Sequence, residues 1–129
     1  LLLFDVIFCD VAGSSEHDGL SCPLPSFVTD DTLVAMRSAL RERGVLVLNL
    51  VSRNEELAEQ IRTRISTFFQ HYFVHCSEED LNEVLICPKI RKSLSEARKA
   101  CEHLENEKGS LGNLFSCVSS LTVHKEWEG

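Results

Sequence analysis

Asp10 closes the run FDVIFCD (residues 4–10), an otherwise apolar segment that ends on a carboxylate. A carboxylate at a strand end, with an apolar floor below and an open mouth above, is suited to accept a proton or hold an ammonium group. The alternative role is structural, accepting hydrogen bonds from the N–H groups of the next turn. Asn49, within a second apolar run, GVLVLNLV (residues 44–51), is read as ending the second strand at the same carboxyl edge. It is a candidate to orient a ligand there or, like many strand-end asparagines, to cap the following turn. Between the two, Ser21-Cys22-Pro23-Leu24-Pro25 reads as a stiff lid or rim, because two prolines limit its backbone. Asp5, at the opposite end of the first run, reads as structural or solvated.

Other constellations carry less. His71 and His75 fall on one face of a strand, but a metal needs further converging ligands, and the Cys101-x-His103 spacing turns its members apart on a helix. No metal site is expected. The G-x-S-x-G elbow of hydrolases is absent, and so is a G-x-G-x-x-G phosphate loop. Glu78, Glu79 and Asp80 read as a solvated turn.

The whole chain constrains these residues. Its 129 residues suit a single domain, and 43% hydrophobic with 26% charged residues is a globular composition. A net charge of -7 without a basic stripe argues against a nucleic-acid surface. No apolar run approaches the roughly 20 residues that cross a bilayer, so no membrane partner is expected. The six cysteines form no C-x-x-C pair and several sit in strand-like apolar runs. They favour a reducing, cytoplasmic location over a disulfide framework.

The elements that must position Asp10 and Asn49 follow from periodicity. Leu2 to Cys9, apolar on both faces, reads as a fully buried strand, and Val11 to Phe27 as a loop. Thr29-Asp30-Asp31 starts a helix whose face is Leu33, Met36 and Leu40, with Gly44 as its left-handed stop. The run from Gly44 to Val51 is the second strand. Ser52-x-x-Glu55 reads as a capping box opening a helix with Leu57, Ile61 and Ile65 inward. His71 to Cys76 and Leu81 to Cys87 are strands, and Ser93 to Glu107 is a helix with Leu94, Ala97, Cys101 and Leu104 inward. Leu114 to Val123 fits helix or strand equally well.

Connection lengths then set the topology. A loop and helix between the first two strands permit a parallel crossover. Four polar residues between the last two strands permit only an antiparallel hairpin. A first strand buried on both faces needs two neighbours, and one is in view, so earlier strands are expected to be missing. The lack of an initiating Met agrees with a piece of something longer.

The motifs FDVIFCDV, GLSCPLPSFV, GVLVLNLVSR and NEVLIC, in this order and spacing, resemble the elongation factor 1-alpha lysine and N-terminal methyltransferases. These are relatives of spermidine synthase among the class I enzymes. The likeness covers about residues 4–90 well and the tail only loosely. It implies an α/β fold, the carboxyl-terminal part of a Rossmann-like class I methyltransferase, with parallel strands ending in an antiparallel hairpin. It implies S-adenosylmethionine as cofactor, a protein amine (possibly on elongation factor 1-alpha) as acceptor, Asp10 as base or ammonium anchor, and Cys22, Pro23 and Asn49 near the acceptor. The cofactor-binding residues would lie upstream, which makes residues 1–129 a partial domain that is inactive alone and prone to self-association. True spermidine synthases carry a second acid three residues after the first; here that position is Gly13, which disfavours aminopropyl transfer. A reading of another class is a non-catalytic interaction module derived from such an enzyme.

Overall fold

β3 (Leu40–Ser52) is the strand on which the sheet is built. Its side chains alternate, with Leu46, Leu48 and Leu50 fully buried on one face and Val45, Val47, Asn49 and Val51 half-buried on the other. In the computed structural model, which describes residues 2–13, 18–76, 79, 81–108 and 122–124, β3 pairs in parallel with β1 (Phe4–Cys9) and antiparallel with β5 (Asn82–Pro88). β5 pairs antiparallel with β4 (Tyr72–Cys76), which in turn pairs with β6 (Thr122–His124). The order is β1-β3-β5-β4-β6. The parallel crossover and the terminal hairpin are thus both present. β3 and β4 run the same way, but β5 is inserted between them.

Two helices cover the leucine face. α1 (Asp30–Ala39) contributes Leu33, and α2 (Glu55–Phe68) contributes Ala58, Ile61 and Ile65 to a core shared with Leu46, Leu48, Leu50 and Leu85. Thr29 caps α1, its Oγ1 accepting from the Thr32 N–H at 3.3 Å, with Asp30 and Asp31 in the first turn complementing the helix dipole. α3 (Leu94–Lys108) lies on the other face, where Leu94 and Ala97 pack with Phe73 and Ile86. Cys101 and Leu104 have side chains outside those described.

Several expectations are corrected. β1 is not buried on both faces: Cys9 is enclosed and Ile7 half-buried, but Phe4, Val6 and Phe8 are 52%, 44% and 75% exposed. β1 is the edge strand of the sheet, with β3 as its one partner among the described residues, and α1 and α2 cover only its inner face. Gly44 does not stop α1. The helix ends at Ala39, and Leu40, extended and fully buried opposite Phe4, already begins β3. Strand pairing there overrides a local stop signal. The capping box at Ser52 is not made; Asn54 caps α2, its Oδ1 accepting from the Leu57 N–H at 3.2 Å. The segment Val11 to Phe27 is not all loop, since it holds β2 (Leu20–Cys22), and a 3-10 turn spans Pro25–Val28. Of Leu114 to Val123, only the first residues of β6 lie among the described residues.

Candidate functional site

The parallel register of β1 and β3 pairs Cys9 with Leu48, so Asp10 and Asn49 lie one step further along, side by side at the carboxyl edge. The Asn49 side-chain Nδ2–H donates to Asp10 Oδ1 at 3.0 Å. β2 takes up the free edge of β3 beyond the end of β1, pairing Cys22 with Val51, and this brings the Cys22 thiol to the same Oδ1 at 3.6 Å. Both donors converge on one oxygen. Asp10 Oδ2 has no partner among the described residues.

β2 is held in place by a hook at Asp18 and Gly19. Gly19 has φ +92, a left-handed conformation that side chains rarely adopt, and a Cβ there would lie 3.0 Å from the Asn54 Cβ. That closeness lets the Arg53 N–H donate to the Gly19 carbonyl at 2.9 Å and the Asn54 Nδ2–H to the Asp18 carbonyl at 3.1 Å. Further along, the Leu24 N–H donates to the Val11 carbonyl at 2.9 Å, tying the loop back to the end of β1.

Above this edge opens a cleft of about 250 Å³, lined by Phe8, Cys9, Asp10, Val47, Asn49, Asn82 and Val84. Its floor is apolar, as expected for Asp10, but it is made by Phe8, Val47 and Val84. Ile7 points to the opposite face, towards the core. Cys22 and Pro23 are buried and line no part of the cleft; Cys22 reaches the site only through Asp10. Asn49 sends its amide to Asp10 and not to the next turn, and its buried Oδ1 has no partner among the described residues.

Electrostatics keeps the thiols protonated. Burial, the hydrogen bond to Asp10 and the charge of Asp10 push the Cys22 thiol up to about 11, and burial followed by the Asp10 charge raises Cys9. Cys22 is therefore a hydrogen-bond donor at neutral pH and not a nucleophile. Behind the cleft, buried Arg62 donates to Glu83 at 2.9 Å, to Glu59 at 3.0 Å and to Glu55. Burial alone would lower its pKa, but the three carboxylates together raise it, so it is a fixed cation. The buried ring of His71 accepts the Lys92 N–H on Nε2 at 3.0 Å, and burial lowers its pKa. Among the described residues no three His, Cys, Asp or Glu side chains converge as metal ligands.

No protein-family profile matches the chain. The eEF1A lysine and N-terminal methyltransferase of Danio rerio is 39% identical over 84 residues, covering 65% of this chain and 12% of that protein. The Homo sapiens protein of the same name is 32% identical over 105 residues, covering 79% of this chain and 15% of the relative. The crystal structure of human methyltransferase-like protein 13 in complex with SAH superposes with a TM-score of 0.71 and 28% identity, over 98% of this chain and 52% of that one. This segment is homologous to part of the eEF1A methyltransferases. It has the mixed sheet of a carboxyl-terminal part of a class I methyltransferase. The chain spans less than a fifth of the length of these curated relatives and about half of the solved chain.

The four motifs that carry the eEF1A-methyltransferase likeness build β1, β2, β3 and β5, the elements that meet around Asp10. Sequence reasoning placed Asp10 and Asn49 on one edge, and the structure brings them into contact. It did not single out Phe8, Val84 or Asn82. Alternation along β1 from Asp10 pointed to Phe8, whereas Asn82 depends on the β3–β5 register, which no local signal reveals.

Proposed function

We propose that this segment is the acceptor-side part of an S-adenosylmethionine-dependent methyltransferase that modifies a protein amine, either a lysine or an N-terminus, with elongation factor 1-alpha as the candidate substrate. The observation that carries this reading is Asp10, whose Oδ1 is saturated by Asn49 and Cys22 while Oδ2 is left open at an exposed strand end. S-adenosylmethionine supplies a methyl group on an electrophilic, positively charged sulfur. The residues present fit one wall of its site: Phe8, Val47 and Val84 give apolar surface to the methyl end, and Asp10 gives opposite charge. No glycine-rich turn follows a described strand, so the rest of the cofactor would lie against residues upstream, and we read residues 1–129 as one partial domain.

In this reading Asp10 Oδ2 accepts an N–H of the neutral amine and aims its lone pair into the cleft. With its methyl end against Phe8, Val47 and Val84, the cofactor would supply the methyl group to that lone pair and keep the carbon–sulfur electron pair on its own sulfur. The extra proton on nitrogen then leaves to Asp10 or to water. Positioning and desolvation supply most of the rate, and the net charge of -7 suits a basic acceptor. We place the protein in the cytoplasm. Four of the six cysteines, Cys9, Cys22, Cys76 and Cys87, are free thiols, which suits a reducing compartment.

The test is Asp10→Asn in a chain extended upstream. Methyl transfer to a lysine-bearing protein should fall by roughly a hundredfold or more, with circular dichroism unchanged; transfer at the parental rate would overturn the proposal. The exposed face of β1 favours a second reading, an interaction module. Under that reading Asp10→Asn would leave partner binding intact and there would be no methyl transfer to lose.

A further inference from the structure

We infer that Asn82 is a second acceptor-binding residue, its side-chain carbonyl oxygen holding the amine N–H that Asp10 does not. This rests on the methyltransferase reading above and deepens it. The β3–β5 register pairs Asn49 with Val84 and Val51 with Asn82, so Asn82 projects from the same face as Asn49, one alternation further out. It lines the cleft with Asp10 and Asn49, and it also lines a neighbouring cavity of about 220 Å³ with Ser52, Glu55 and Glu83. Asn82 is exposed, and its amide makes no hydrogen bond to any described residue. Of the other polar groups lining the cleft, Asp10 keeps Oδ2 open, Asn49 Oδ1 lacks a partner among the described residues but is buried out of a ligand's reach, and Cys9 is a buried, protonated thiol. Among the described residues Asn82 is therefore the exposed, unengaged polar side chain that the cleft offers besides Asp10.

The chemistry of the acceptor calls for such a group. A neutral primary amine has one lone pair and two N–H bonds. Fixing one N–H leaves the nitrogen free to rotate about that bond, and the lone pair sweeps out a cone. Fixing both directs the lone pair along one line. Asp10 and Asn82 line the cleft on either side of Asn49, so an amine seated between them would meet one acceptor from each. After one methyl transfer the amine keeps a single N–H, which the stronger, charged acceptor Asp10 takes. Asn82 therefore serves the first methylation more than the second.

The experiment measures kcat/KM in the full chain that carries this segment, with a peptide bearing unmodified lysine and with the same peptide bearing monomethyl-lysine. Asn82→Ala should lower kcat/KM roughly tenfold for the unmodified peptide, the loss expected for one hydrogen bond, and leave the monomethyl peptide within about twofold. Asn82→Asp, which keeps an oxygen acceptor, should recover most of the loss, with urea midpoints of both variants at the parental value. Equal effects on the two peptides, no effect on either, or failure of Asn82→Asp to recover would each overturn the assignment. Asp10→Asn is run alongside. If it leaves transfer intact, the methyltransferase reading itself fails; if it abolishes transfer while Asn82→Ala changes nothing, only the role of Asn82 fails.

Discussion

Asp10 matters through the oxygen it has left over. Asn49 and Cys22 both spend their donors on Oδ1, so the carboxylate is oriented without being used up. The arrangement has a cost that alkali exposes. Burial, then the hydrogen bond and charge of Asp10, push the folded Cys22 thiol up to about 11 from an ordinary value of 9.0, so the unfolded chain releases this proton first. The stabilisation from the protonated thiol is complete below about pH 9 and is lost as pH rises towards 11, and buried Cys87 acts in the same direction. The urea midpoint should therefore fall between pH 8.5 and 10.5, and Asp10→Asn should make the fall shallower; a midpoint that rises over that range would contradict the thiol placement. Asp10 and Asn49 were legible in the sequence because each is a polar residue interrupting an apolar run. Asp10 stands at the end of its run and Asn49 just before the end of its own, although β3 runs on past Asn49 to Ser52. Asn82 was not, since a polar residue after a turn is ordinary and only cross-strand register gives it neighbours.

Among the elements, β2 shows how a three-residue strand can govern a site. It exists because Gly19 accepts a left-handed backbone and lets the Asp18–Gly19 hook reach the start of α2. Gly19→Ala puts a Cβ 3.0 Å from the Asn54 Cβ under an unfavourable φ. It should cost about 1–2 kcal/mol, read as a lower urea midpoint, and should also speed alkylation of Cys22 as β2 loosens from Asp10. Unchanged stability together with unchanged alkylation would show that the hook does not hold β2. Helices and principal strands were readable because burial imposes periods of 3.6 and 2 on their side chains. Two of the errors came where local chemistry competed with pairing. Gly44 looks like a helix stop, yet Leu40 leaves the helix earlier to sit fully buried opposite Phe4. Ser52 looks like a cap, yet its hydroxyl is engaged with the backbone of Asn54, which caps α2 instead.

At the scale of the molecule, among the described residues β1 leaves its outer backbone edge and the side chains of Phe4, Val6 and Phe8 open. Such an edge recruits another chain unless something covers it. We expect the isolated segment to self-associate through this strand, and Phe8→Lys to raise the monomer fraction in size-exclusion chromatography with light scattering; a parental segment that stays monomeric at high concentration would refute this. We also expect the segment alone to show no micromolar binding of S-adenosylmethionine by equilibrium titration. The sheet has a further consequence for the order of assembly. β4 and β5 find each other across a short turn, whereas β3 must meet strands drawn from residues 4–9, 20–22 and 82–88. Closing those long loops is the step we expect to limit folding, with β3 docking late. Asp10, Cys22 and Asn49 meet only when β1 and β2 are both paired with β3, so the complete carboxylate site depends on that docking.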